Sequence, residues 1–161
     1  MSLLNIVRWI HIISGVSWLG EVLTINFVLL PALANLEHET RVKFIRQVFP
    51  RIFRLASVLS LTSILSGAVV NYLMTDGWKN WGSLIHTRWG IGILVGGSLG
   101  LALALFHFFA EGRFEPIALS VQQETKEEIE KFIAHLKFIP RVGMLIIVAV
   151  VVLMMYAARG V

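Results

Sequence analysis

Two histidines in the apolar part of this chain have the spacing expected of a redox site. His11 lies inside the first apolar segment, and His86 opens the third. An ionisable side chain in a membrane segment costs free energy, so each one invites a functional hypothesis. If successive helices alternate in direction, the two rings face each other, as iron with two histidine ligands requires. We therefore predict that they bind a metal as axial ligands of haem. The alternatives are a hydrogen-bonded core histidine for His11 and an interfacial residue for His86.

Three neighbouring residues complete the predicted haem site. Arg88, two positions after His86, could hold a haem propionate with its guanidinium, or it could snorkel to lipid headgroups instead. Trp18 follows His11 at helical spacing and could pack against the ring system. Gly90 has no side chain, so it leaves room for a flat ring beside His86.

His107 could serve a second, inner cofactor site. This residue lies 21 positions after His86, which corresponds to about 31 Å along a helix, too far for one haem to reach both. Its expected neighbours are Glu21, Asn26 and Arg54. A structural or interfacial role is the interpretation that we favour for His107, and we retain it as a candidate cofactor-binding residue.

Copper offers a competing interpretation of the same end of the bundle. Met74, Met154 and Met155 are expected near the helix ends where His11 and His86 lie. Thioether and imidazole ligands suit copper(I), although core packing is the commoner reason for a methionine in a helix. The alternative function is therefore a copper-binding or copper-transport membrane protein.

The elements that must position these residues are four apolar segments. The chain of 161 residues is 57% hydrophobic and 15% charged, whereas soluble domains carry about 25% charged residues. Its apolar blocks approach the ~20 residues needed to cross a bilayer. We predict one all-α domain over residues 1–161, an integral membrane four-helix bundle. The expected spans are about 3–30, 52–74, 84–110 and 139–158. Cysteine is absent, which excludes disulfides, iron–sulfur clusters and thiolate metal sites.

The connectors and their charges predict the topology. Residues 36–49 and 120–137 have amphipathic patterns that are typical of helices on a membrane surface. These two connectors and their flanks hold ten of the fourteen Lys and Arg residues. The positive-inside rule then places both surface helices in the cytoplasm and both termini outside, in the inner (plasma) membrane. We attribute the net charge of +4 to this uneven distribution of Lys and Arg across the membrane, and not to a nucleic-acid-binding site.

A row of glycines in the third segment indicates close helix packing. Gly92, Gly96 and Gly100 recur every four residues within an apolar helix. We predict from this row that two copies of the chain form a homodimer. A dinucleotide-binding loop is excluded because that motif requires a preceding strand.

Short motifs along all four segments resemble those of a known membrane family. The first segment has Trp18 seven positions after His11, and the third opens with His86-Thr87-Arg88 and closes with Phe106-His107. In these features the chain resembles the HemJ-type protoporphyrinogen IX oxidases and the related CopD-type copper-resistance domains. The resemblance implies a four-helix domain that binds haem b, with His11 as the leading ligand or active-site residue. Arg88 departs from the family pattern, which has lysine at this position.

The function predicted from residues and resemblance together is a haem b membrane redox protein. It would transfer electrons or oxidise a membrane-soluble substrate, as in protoporphyrinogen oxidation. Its expected partners are the lipid bilayer, haem and a quinone or another electron-transfer partner. Whether the protein is an oxidoreductase enzyme or an electron carrier is open at this stage.

Overall fold

The computed structural model describes residues 2–120 and 126–159, and every regular element in these ranges is helical. In chain order the elements are α1 (Leu3–Thr24), a π-helical turn (Ile25–Leu29), α2 (Leu30–Ala34), α3 (His38–Met74), α4 (Trp81–His86), α5 (Arg88–Ser120) and α6 (Lys126–Arg159). The all-α prediction is confirmed. The N-terminal helix continues through the π-helical turn into α2, so one unbroken segment covers Leu3–Ala34.

Four helical segments are long and apolar enough to cross a membrane, in agreement with the predicted number. They are Leu3–Ala34, His38–Met74, Arg88–Ser120 and Glu127–Ala157. The 37 residues of α3 extend over about 56 Å, well beyond the ~30 Å of a hydrocarbon core. These helices are therefore longer than the predicted spans. In α3, α5 and α6 the helix extends beyond one end of the corresponding predicted span.

The two amphipathic connectors do not form separate surface helices in the described residues. Residues 38–49 belong to α3, which continues through Pro50, and residues 126–137 belong to α6, which continues through Pro140. Val121 to Thr125, within the second predicted connector, lie outside the described residues. Both amphipathic predictions identified helix, but the helices are extensions of the spans.

The apolar faces of these extensions pack against each other. Phe49 and Ile45 of α3 share one buried cluster with Phe132 and Ile133 of α6. Residues from the π-helical turn, α2 and the end of α5 complete it. An ion pair between Arg41 and Glu130, 3.1 Å apart, joins the same two helices. The apolar stripes that we attributed to contact with lipid are thus covered by protein.

A second core lies in the apolar part of the bundle and depends on small residues. Trp18 and Val22 of α1 pack there with Ala56 of α3, and with Leu103 and Ala104 of α5. In its packing α1 lies mainly against α3 and α6, whereas α5 lies against α3, α4 and α6. The helices α1 and α5 are therefore diagonal neighbours in the bundle.

The glycine row on α5 lies against α6. A Cβ atom added at Gly92 would be 2.9 Å from the Cβ of Ala157, and one added at Gly96 would be 2.9 Å from Cε of Met154. Gly92 therefore needs glycine if α5 and α6 are to keep this separation, whereas at Gly96 the flexible end of Met154 would have to move. The row predicted as a dimer surface is used inside the chain, so it no longer supports a homodimer.

The packed extensions make a direct prediction about stability. Truncating Phe49, which is 1% exposed, should lower the free energy of unfolding by about 3–5 kcal/mol because a large buried side chain is lost. The control is Phe109→Ala on α5, where the side chain is 68% exposed. Denaturant unfolding in detergent, followed by far-UV circular dichroism, measures both variants. Equal stability of the two variants would contradict a protein-covered face.

Candidate functional site

His11 is held between α1 and α3 by a hydrogen bond to the backbone. Its Nδ1 lies 2.8 Å from the carbonyl oxygen of Ser63. A carbonyl can only accept, so Nδ1 donates its proton, and in the neutral ring the lone pair is then on Nε2. Histidines that bind metals commonly donate their other ring N–H to a carbonyl in this way, which orients the ring and raises its basicity. His11 therefore has the donor chemistry of a metal ligand.

Gly67 provides the space for the His11 ring. A Cβ atom at this position would lie 2.8 Å from Cε1 of His11 and 3.0 Å from its Nδ1. Ser63 and Gly67 are one turn apart on α3, so together they form a seat for the imidazole. We did not identify either residue from the sequence. The sequence feature that could have identified them is a pair of small residues four positions apart in an apolar helix, which is typical of close helix packing.

The structure places Trp18 further along α1, away from the His11 seat. The two residues are separated by about 10 Å along the helix axis. Trp18 is buried in the bundle core and lines an interior cavity together with His107. Its packing partners among the described residues are aliphatic core side chains.

His86 and Arg88 are both exposed, and they lie on either side of the junction between two helices. His86 ends the short α4, Thr87 is extended, and α5 begins at Arg88. The His86 ring lies near Gly82 of its own helix. We predicted that His86 opens the third long helix, but it lies in α4 instead. No contact among the described residues holds it toward His11. Its role as a second ligand remains a prediction, as does a propionate contact for Arg88.

Close packing between α4 and α5 requires glycine at position 90. A Cβ atom there would lie 2.3 Å from Cα of Leu84 and 2.2 Å from the carbonyl oxygen of Ser83. The absence of a side chain at Gly90 lets α4 fold back against α5, and Leu84 is fully buried as a result. The space beside Gly90 is thus filled by backbone in this structure.

The three methionines of the copper hypothesis have different surroundings. Met154 contacts Gly96 between α5 and α6, and Met155 is exposed. The sulfur of Met74 accepts a hydrogen bond from Arg8, at 3.7 Å. No described contact joins a methionine sulfur to His11. No group of three or more His, Asp or Glu residues with the arrangement of a metal site occurs among the described residues.

His107 belongs to a polar cluster between α3 and α5. Its Nε2 lies 2.9 Å from the hydroxyl oxygen of Ser57, and that hydroxyl also hydrogen-bonds the carboxylate of Glu111. The His107 Nε2 and the nearer carboxylate oxygen of Glu111 are 3.9 Å apart. The three side chains form one chain of hydrogen bonds in the order His107, Ser57, Glu111.

A cavity of about 90 Å³ adjoins this cluster and is lined by four titratable side chains: Glu21, His107, Glu111 and His135. Both carboxylate oxygens of Glu21 are buried and have no hydrogen-bond partner among the described residues. Pockets for ligands of drug or cofactor size have volumes of about 300–1,000 Å³, so this cavity fits water and not a second haem.

Glu21 was correctly expected near His107, but the other two predicted neighbours lie elsewhere. The Asn26 amide in the π-helical turn donates to the carbonyl oxygens of Val22 and Pro140, at 2.8 and 3.0 Å. Arg54 lines a separate groove on α3. Among the residues that the structure describes, the inner site is therefore lined by glutamate and histidine side chains and by no arginine.

The seat of His11 leads to a paired prediction. Gly67→Ala should lower the free energy of unfolding by about 1–3 kcal/mol, because the new methyl group overlaps the imidazole. Gly97→Ala on α5 is the control: apart from its own helix backbone, no atom of the described residues lies within 4 Å of the added Cβ, so stability should stay equal or rise by up to ~1 kcal/mol. Thermal and denaturant unfolding in detergent compare the two. A Gly67→Ala protein as stable as the control would show that the ring is not packed there.

Comparison of the chain with protein-family models, curated proteins and solved structures gives no match. The resemblance to the oxidase and copper-resistance families therefore rests on the short motifs alone. Function has to be argued from the geometry of His11 and of the inner cluster.

Proposed function

We propose that the protein is a haem b-binding integral membrane redox protein in which His11 is an axial ligand through Nε2. The observation that carries the proposal is the hydrogen bond from Nδ1 to the Ser63 carbonyl. In the neutral ring it fixes the tautomer that has its lone pair on Nε2, and the absence of a side chain at Gly67 leaves the space that the ring occupies. A neutral imidazole held in this way inside an apolar helix is suited to ligating iron.

The chain's own residues would bind and orient the cofactor. Bound haem supplies one-electron chemistry, which suits electron transfer or oxidation of a membrane-soluble substrate. The Ser63 carbonyl keeps His11 oriented, and Arg88 is the cation available at the start of α5 for a propionate. His86 is the second ligand that we propose. Because it is exposed at the end of α4, it is tested separately.

We further propose that the four long helices cross the inner (plasma) membrane with both termini outside. A groove of about 560 Å³ on α3 is lined by the cations Lys43, Arg46, Arg51 and Arg54. Basic residues are enriched on the cytoplasmic side of membrane proteins. The connector at the other end of α3 has an aromatic cluster, with the rings of Trp78 and Trp81 5.8 Å apart, which suits the opposite interface.

An electron partner in the membrane follows from this placement. A cofactor held by His11 between α1 and α3 would lie within the apolar part of the bundle, where a quinone or another lipid-soluble molecule can approach. Oxidation of a porphyrinogen rests on the family resemblance alone, and the replacement of lysine by Arg88 alters the proton chemistry there, because arginine stays charged. Electron transfer is therefore the broader form of the proposal.

The haem proposal predicts a specific loss on mutation. Detergent-purified protein should show a Soret band, sharp α and β bands after dithionite reduction, and a b-type pyridine haemochrome. His11→Ala should reduce haem content at least about tenfold, since loss of an oriented ligand costs more than ~1.4 kcal/mol of binding free energy. His38→Ala, in which an exposed histidine is removed, should leave the spectrum unchanged.

Two further measurements complete this test. If His86 is the second ligand, His86→Ala should convert a six-coordinate low-spin spectrum to a five-coordinate one. Metal analysis of the same samples distinguishes iron from copper. A protein that stays colourless after reconstitution with haem would refute the haem proposal, and stoichiometric copper in that protein would support the alternative.

The proposed topology, with both termini outside, can be tested by cysteine labelling. The sequence has no cysteine, so each introduced thiol is the single thiol of its variant. Thr40→Cys on α3 and Lys79→Cys before α4 introduce single thiols at exposed positions. In intact cells a membrane-impermeant maleimide should label Lys79→Cys and not Thr40→Cys, and both should react after lysis. The reverse pattern would show that the termini are cytoplasmic.

A further inference from the structure

The interior cavity and its hydrogen-bonded cluster are not needed to hold haem at His11. Four elements contribute to them: α1 provides Glu21, α3 provides Ser57, α5 provides His107 and Glu111, and α6 provides His135. Titratable groups are costly inside a membrane protein, and chains of Glu and His there commonly carry protons.

Ser57 connects two titratable groups in a way that allows protons to shift. Its hydroxyl has one proton to donate and lone pairs to accept with. In one arrangement a doubly protonated His107 donates from Nε2 to Ser57, and Ser57 donates to the Glu111 carboxylate. In the other, a protonated Glu111 donates to Ser57, and Ser57 donates to a neutral His107. The net charge of the cluster is the same in both arrangements.

Glu21 lies across the same cavity and has no donor to stabilise a negative charge. Its two carboxylate oxygens are enclosed and unpaired among the described residues. A carboxylate removed from water without a partner is very unfavourable, whereas the protonated acid is far less so. The cavity, which is large enough for a few water molecules, provides the route by which a proton can reach this carboxylate.

His135 gives the cavity a connection to solvent. It lines the cavity, yet its side chain is exposed on the extension of α6. Its Nδ1 lies 2.8 Å from the carbonyl oxygen of Lys131, so this nitrogen donates and Nε2 can exchange protons. The neighbouring Phe114 ring, with its centroid 5.8 Å from that of His135, packs beside it.

We propose that this cavity is an intramembrane proton-transfer site in which His107, Ser57 and Glu111 relay protons to Glu21. The His107 imidazolium gives its Nε2 proton to the Ser57 oxygen while the Ser57 proton moves to Glu111, which leaves a neutral His107 that keeps its Nδ1 proton. The Glu111 carboxyl proton then passes through cavity water to the Glu21 carboxylate, and His107 is reprotonated from the His135 side. Only N–H and O–H bonds change, and no electron is transferred.

The proposal does not rest on haem, so it can be tested on protein with or without cofactor. Infrared difference spectroscopy in H₂O and D₂O detects the C=O stretch of a protonated carboxyl. Because Glu111 is protonated in one arrangement and contributes its own C=O band, the Glu21 contribution is taken as the part of the carboxyl band that Glu21→Gln removes. We expect such a contribution in the wild-type protein and its retention in Glu37→Gln, where an exposed carboxylate is replaced. If Glu21→Gln leaves the whole carboxyl band unchanged, Glu21 is not the proton acceptor and the proposal fails.

The relay is tested by the rate at which the Glu21 carboxyl exchanges its proton for deuterium. Ser57→Ala should slow the exchange about tenfold or more, because a positioned group for proton transfer is lost. Ser66→Ala is the matched control: it removes a buried hydroxyl of α3 whose hydrogen bonds among the described residues go to the Thr62 and Ser63 carbonyls of the same helix, and no part of the relay contacts it. Ser57→Thr, which restores the hydroxyl, should recover the exchange rate.

The remaining outcomes separate a relay from a structural role. If Ser57→Ala and Ser66→Ala exchange at the same rate, the cluster only joins α3 to α5, and the relay is refuted. If Ser57→Ala does not fold, as judged by its helical circular dichroism, Glu111→Gln takes its place, because it retains the side-chain size while removing the proton. Exchange at the wild-type rate in folded Glu111→Gln would equally overturn the proposal.

Discussion

Close approach between helices at positions without bulky side chains is the constraint on which the other features depend. Gly67 admits the ring of His11 between α1 and α3, Gly90 admits the backbone of α4, and Gly92 admits Ala157 of α6. Apolar side chains gain little by leaving lipid for a helix interface, so intimate packing has to hold such a bundle together. The candidate ligand is oriented by this packing as much as by its hydrogen bond.

The two histidines inside the bundle are hydrogen-bonded in different ways, and this difference separates the two sites. His11 uses a backbone carbonyl, which cannot change its protonation, so the tautomer of the ring is fixed. His107 uses Ser57 and Glu111, whose protons can move. A fixed imidazole suits a ligand, and an exchangeable one suits proton transfer. Redox and proton chemistry would thus be assigned to opposite halves of one bundle.

The number and class of the helices could be predicted because hydropathy depends on the local sequence alone. The proximity of Glu21 to His107 could also be predicted, because both lie toward the same end of the bundle. The surroundings of His86 did not, because the break at Thr87 and the folding back of α4 onto Gly90 arise from tertiary contact. An amphipathic stripe likewise does not reveal whether lipid or another helix covers it. Ser57 was missed because it meets His107 only across 50 residues of sequence.

The mutual cover of the amphipathic extensions affects the order in which the chain can be assembled. The buried face of α3 around Ile45 is completed by residues of α5 and α6, which are synthesised after it. Until they emerge, the first half of the nascent chain presents an apolar stripe flanked by Lys43 and Arg46. Anionic lipid headgroups can hold such a stripe at the membrane surface in the interval. The surface helix suggested by the sequence would then be a stage in biogenesis, replaced by helix–helix contact once translation is complete.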